Sequence, residues 1–195
     1  MLSNSLAAAA GLLLIAALSP GPNNLVVLRA AAHGGLSAAW PAIGGIVLGG
    51  LALLGLVLAG PGSTFAHWPP LRTVVAIAGA AYLCWMALGL MRPSNVEAGS
   101  TALPTGMTGL FVFQFLNPKS WVMVLSLVAA FPPVGLAETF AWLAPAFVVI
   151  PTACLLAWAM AGRRLAAYYQ DRATRRWIDR AMGVALFASA LLLLL

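Results

Sequence analysis

Apolar residues run through this chain in long blocks, separated by short polar or proline-rich intervals. A membrane-spanning helix needs about 20 mostly apolar residues. Six segments qualify, at about 5–30, 38–60, 71–91, 106–130, 138–161 and 177–195. The pattern predicts an all-α polytopic membrane protein, with one transmembrane domain over 1–195 and short loops. Leu6 to Leu18 has the length of a signal-peptide core, but no Lys or Arg precedes it and the apolar run resumes after Asn24. It is read as the first half of an interrupted span.

Two spans are interrupted in the middle. Span one contains Ser19-Pro20-Gly21-Pro22-Asn23-Asn24, and span four contains Asn117-Pro118-Lys119-Ser120. Proline removes an amide donor, clashes with the preceding turn and biases the residue before it away from the helix. Pro22 and Pro118 stand 96 positions apart, close to half of 195. Each break opens a three-span half, about 1–97 and 105–195. An odd number of spans per half gives the halves opposite orientations, the 3+3 inverted-repeat plan of many secondary transporters.

At each break a new half-helix begins near the bilayer midplane. Pro22 and Pro118 suit the first helical position, with Gly21 and Asn117 as caps. The N–H groups expected to be free are those of Asn23, Asn24 and Leu25, and of Lys119, Ser120 and Trp121. Two positive dipole ends would then converge, a site for a carboxylate. The upper half-helices should end at about Leu18 and Phe115, offering carbonyls to an ammonium group. A free amino acid carries both charges on one carbon. The alternative reading is a pair of plain proline kinks satisfied by neighbouring helices.

Composition narrows the class. Charged residues are 7% of the chain and hydrophobic ones 63%, with mean hydropathy +0.99. Ordinary soluble domains carry about 25% charge. A soluble globule, a disordered tail and a nucleic-acid binder are excluded. The net charge of +6 is concentrated in Arg163, Arg164, Arg172, Arg175, Arg176 and Arg180. Such a cluster marks a cytoplasmic loop and, with six spans, puts both termini outside. The stretches near Arg29 and Arg92 become cytoplasmic loops, leaving Arg72 and Glu138 near outer ones. Trp68, Trp142 and Trp177 fit interfacial anchoring, whereas Trp85 and Trp121 lie deeper.

Lys119 is the basic residue placed in mid-span, where it costs about 2.5–3.5 kcal/mol on insertion scales and faces a cavity as a rule. It either neutralises a substrate carboxylate and titrates, or donates to the broken carbonyls and holds the kink. Asn23, Asn24 and Gln114 line the same interior, although an interhelical hydrogen bond explains Gln114 equally well. Glu97, Glu138, Asp171 and Asp179 fall in loops or at span ends, so no acid awaits a cationic side chain and a neutral amino acid is preferred. His33 and His67 read as solvated loop residues, and Asp179 as a surface partner of Arg175 and Arg176. Gly45 and Gly49, in small-xxx-small spacing, suit packing within one subunit or, failing that, a homodimer seam. Cys84 and Cys154 read as core fillers. No span offers a Ser–His, paired-Asp or zinc-ligand set, so no enzyme, metal or cofactor is expected.

The run from Ser19 to Asn24, followed by Gly34-Gly35 and the glycines of span two, resembles the opening motif of the lysine exporter / homoserine-threonine resistance (LysE/RhtB) superfamily. Gly79-Ala80-Ala81-Tyr82-Leu83, continuing through Leu88-Gly89 to Arg92, is similar to its third-span motif. Phe115-Leu116-Asn117-Pro118-Lys119 is similar to its fourth-span signature, and Trp177 through Gly183 more loosely to its last span. The resemblance covers essentially the whole chain. It implies a six-helix protein of the bacterial inner membrane that exports amino acids or analogues, driven by the proton motive force. The homoserine/threonine branch looks closer than the lysine branch. The substrate-site residues expected are Ser19, Pro20, Gly21, Pro22, Asn23, Asn24, Gln114, Asn117, Pro118 and Lys119. Competing readings are a membrane thiol relay through Cys84 and Cys154, and a non-transporting membrane scaffold. A related branch carries paired cysteines in spans one and four, which this chain lacks.

Overall fold

The computed structural model describes residues 2–60, 68–91, 104, 106–131, 135–168 and 171–192. His67, Arg92 and Glu97 lie outside them, as do the side chains of Arg72 and Arg172. Seven helices follow one another and no strand occurs among the described residues: α1 (Leu2–Leu18), α2 (Pro22–Leu58), α3 (Pro69–Met91), α4 (Gly106–Leu116), α5 (Pro118–Ala129), α6 (Leu136–Leu165) and α7 (Arg172–Leu192). Three are long and apolar enough to cross a membrane: α2, α6 and the 73–91 stretch of α3. The pair α4 and α5, bent by 68° across Asn117, makes a fourth if counted as one broken span.

Both expected breaks are present. Helix α1 stops at Leu18 and α2 starts at Pro22, while α4 stops at Leu116 and α5 starts at Pro118. The expected loop between spans one and two is absent. Helical residues continue from Pro22 to Leu58, and the direction changes at Gly35, with φ 71° and ψ −170°. That conformation is essentially restricted to glycine, so one residue performs the turn expected of a loop. It divides α2 into stretches 22–34 and 36–58. Arg29 is therefore not beside a loop; it is a buried residue of the first stretch.

Lipid tails are as apolar as leucine, so close packing rather than water exclusion holds such helices together. Glycines supply that closeness. A Cβ on Gly45 would run into the Met107 carbonyl, one on Gly49 would come 2.6 Å from the Phe111 carbonyl, and one on Gly162 would run into the Leu28 carbonyl. Gly45 and Gly49 are thus occupied by α4 of the same chain. Helix α2 packs on α4 and α6, α3 packs on α7, and α1 packs on α6. Large apolar residues such as Ile15, Val74, Val149 and Val184 stand exposed on the outside, as a lipid-facing surface requires.

Two apolar cores result. One gathers Leu25, Val27, Ile43, Ile46, Met86, Phe113, Leu155 and Leu186; the other gathers Leu13, Leu53, Leu54, Trp121, Val124, Leu143 and Phe147. Along 36–58 the change from one core to the other falls at Gly49 and Gly50, and along α6 it falls between Phe147 and Leu155. The breaks lie at the same level. Ahead of α7, the Asp171 carboxylate accepts from Thr174 N (2.8 Å) and Oγ1 (2.6 Å), starting the helix and holding its own carboxyl below the usual range.

Candidate functional site

The two breaks meet. Asn23 Nδ2 donates to Gln114 Oε1 at 2.9 Å, and Gln114 Nε2 returns a bond to Asn23 Oδ1 at 3.1 Å. Asn117 Nδ2 donates to the same Asn23 oxygen at 3.3 Å, and Ser120 Oγ to Gln114 Oε1 at 2.8 Å. Gln114, Asn117 and Ser120 are almost fully buried. Unpaired amides at this depth would each be costly, so mutual pairing is what lets four polar side chains share an apolar interior. Of the two readings of Gln114, the interhelical hydrogen bond is present.

A cavity of about 40 Å³ opens beside this network. That is room for a few water molecules at about 10–15 Å³ each. Its polar wall is Asn23, Asn24, Gln114, Asn117, Lys119 and Ser120, with Gly21 at the edge. Of the expected site residues, Gly21, Asn23, Asn24, Gln114, Asn117 and Lys119 line it. Ser19 and Pro20 contribute acceptors, while Pro22 and Pro118 are buried at the first positions of their helices.

The helix starts are less alike than expected. Asn117 accepts Lys119 N on its side chain at 3.1 Å, and its carbonyl accepts Ser120 N at 2.9 Å and Trp121 N at 3.4 Å. The three amides expected to be free on α5 are therefore bonded by their own cap. On α2 the Gly21 cap has no side chain, and its carbonyl takes only Leu25 N, at 3.0 Å. The Asn23 and Asn24 amides have no acceptor within the helix. The start of α2 thus leaves open two of the three amides expected to be free, those of Asn23 and Asn24 but not Leu25, whereas that of α5 leaves none.

The carbonyl ends are occupied as well. Lys119 Nζ lies 2.7 Å from Ser19 O, 2.9 Å from Ser19 Oγ and 3.4 Å from Pro20 O. Asn24 Nδ2 donates to Ser19 O at 2.8 Å and Ala17 O at 3.1 Å. At the other break, Trp121 Nε1 donates to Phe115 O at 3.0 Å. The carbonyls at the end of α1, expected to meet a substrate ammonium, are taken by the ammonium of Lys119. Gly21 makes this approach feasible, since a Cβ there would fall 2.8 Å from Nζ.

Ser120, named for its backbone amide, joins the cavity wall through its side chain, and Phe147 and Gly50, outside the expected set, line it too. Phe147 reaches the cavity only through the packing of α6 on α2, for which no local pattern exists. Asp179 keeps Arg175 at 3.9 Å but also meets Arg29 of α2 at 3.6 Å, so the expected surface pair is an interhelical bridge. His33 is exposed on the helix, not in a loop, with Nδ1 3.0 Å from Arg29 O. Cys84 and Cys154 are free thiols, and neither lines the cavity. Among the described residues no group of His, Cys, Asp and Glu is placed to hold a metal.

The model of the LysE type translocator family matches residues 14–195. The cysteine/O-acetylserine efflux proteins of Escherichia coli K12, Shigella sonnei and Shigella flexneri are each 32% identical over 155 residues, covering 76% of this chain and 77% of theirs. No solved structure matches the chain. The chain belongs to the LysE type translocator family. It is a multi-pass membrane transporter and not an enzyme.

Proposed function

From a translocator whose two helix breaks line one cavity, we propose a secondary exporter of small neutral amino acids or their analogues. One observation carries the reading: Asn23, Asn24, Gln114, Asn117 and Lys119, from breaks half a chain apart, line a single cavity. Threonine, homoserine, cysteine and O-acetylserine are the size and charge in question; the last two are what the relatives' names state. Among the described residues no acidic one lines the cavity, so a cationic side chain would find no counter-charge there.

The site works by an exchange of charges. The substrate carboxylate takes the open Asn23 and Asn24 amides at the positive end of 22–34 and draws the Lys119 ammonium to itself. The substrate ammonium replaces Lys119 on the Ser19 and Pro20 carbonyls. The carboxylate is paired with Lys119 and the substrate ammonium keeps the carbonyl acceptors Lys119 gives up, so no charged group is left without a partner at depth.

The architecture supporting this is six spans as a 3+3 inverted repeat. Its spans are α1 with 22–34, 36–58, α3, α4 with α5, α6 and α7. The pairings favour it: 36–58 meets α6 where Gly50 touches Phe147 and Gly55 approaches Phe140, and α3 packs on α7, second against fifth and third against sixth. The basic cluster from Arg163 to Arg180 then faces the cytoplasm of a bacterial inner membrane, with both termini outside. The proton motive force drives the cycle.

Counterflow in proteoliposomes tests the reading. Labelled threonine, homoserine, cysteine and O-acetylserine should exchange, lysine and glutamate should not, and an imposed pH gradient should raise the flux. Absence of exchange for every zwitterion overturns it.

A further inference from the structure

The polar wall of the cavity accounts for the charged ends of an amino acid but not for its side chain. The opposite wall is apolar: Val47 and Gly50 of α2, Met123 of α5, and Phe147 and Leu155 of α6. Phe147 is the largest of these and is 2% exposed. Its ring rests on Gly50, where a Cβ would lie 2.5 Å from Cε1 and 2.9 Å from Cζ. The ring therefore sits in close contact with the α2 backbone at Gly50. It has no room to move toward α2, because backbone and not a flexible side chain lies at that contact. Any group entering the apolar part of the cavity meets this ring.

We propose that Phe147, seated on Gly50, sets the upper size of the substrate side chain and so determines which neutral amino acids are exported. The inference rests on the cavity being the substrate site. It assigns the two walls separate tasks, charge recognition to the break residues and side-chain selection to Phe147. Gly50 is part of the device, since a β-carbon there would displace the ring from its seat beside the cavity.

The experiment is competition in the proteoliposome exchange assay, with labelled threonine as the reporter and unlabelled serine, threonine, leucine and phenylalanine as competitors. The wild-type carrier should favour serine and threonine. Phe147→Ala, and more mildly Phe147→Leu, should shift the leucine-to-threonine preference by about tenfold or more, in the range that a few methylene-sized contacts supply. Gly50→Ala should lose threonine before serine. Combining Gly50→Ala with Phe147→Leu should restore threonine, because the smaller side chain yields to the new methyl.

That rescue keeps the test decisive if Phe147→Ala does not insert. A wild-type carrier that exchanges threonine, with preference ratios unchanged by the Phe147 variants or with no rescue by the double variant, overturns this inference alone. A wild-type carrier that exchanges no zwitterion overturns it together with the site reading.

Discussion

The carboxamides of Asn23 and Gln114 pair head to tail, at 2.9 and 3.1 Å, across 91 residues of chain. This double bond is the seam between the two breaks. Asn117 and Ser120 each add one bond to it, so every member holds its neighbours at a fixed angle. A network of this kind is costly when incomplete and specific when complete.

Removing one partner should therefore cost more than a surface substitution. Gln114→Leu strands the Asn23 amide and the Ser120 hydroxyl, and a buried unsatisfied group costs about 1–3 kcal/mol. The thermal midpoint of the detergent-solubilised protein should fall. Replacing both members, Asn23→Leu with Gln114→Leu, should recover part of that stability while leaving export abolished. Recovery of export in the double variant would show that the amides only hold the helices together.

Lys119→Met removes the charge that holds Ser19 and Pro20. A hydrogen bond to a charged group contributes about 1.5–3 kcal/mol, so substrate affinity should drop roughly 10- to 100-fold. The signature is a raised KM for threonine export by protein that still reaches the membrane. An unchanged KM with lowered abundance would mark Lys119 as a structural plug of the break.

The glycine contacts make a separate prediction about packing. Gly162→Ala sets a methyl against the Leu28 carbonyl, and Gly45→Ala sets one against the Met107 carbonyl. Neither backbone has room, and overpacking costs about 1–3 kcal/mol. Both variants should unfold at lower temperature than Gly11→Ala, where a Cβ meets nothing within 4 Å.

Much of the site was legible because proline and asparagine act locally. Pro22, Pro118 and Asn117 stand at the helix starts where their chemistry places them. Local chemistry also misled. The rule that leaves the first amides open held at α2 for Asn23 and Asn24 but not Leu25, which bonds the Gly21 carbonyl, and failed for α5, because Asn117 bonds those amides itself. The loop expected before 38 is one glycine at positive φ, and a composition window cannot see a single dihedral. Phe147 and the partnership of Arg29 with Asp179 depend on how distant helices pack, and hydropathy carries no information on that.

Arg29 and Asp179 supply the last prediction. Their side chains are 8% and 14% exposed and lie 3.6 Å apart, joining the half-helix that carries Asn23 and Asn24 to α7. An ion pair this buried is poorly screened, so its effect should persist as salt rises. Taking away one partner leaves a buried charge behind and should destabilise by about 3–5 kcal/mol. Arg175, 3.9 Å from Asp179 and more exposed, softens the loss when Arg29 goes, so Asp179→Ala should cost more than Arg29→Ala. A double-mutant cycle read by thermal unfolding in low and high salt measures this. Coupling that vanishes in high salt would place the pair in solvent and remove it as a tie between the site and the last helix.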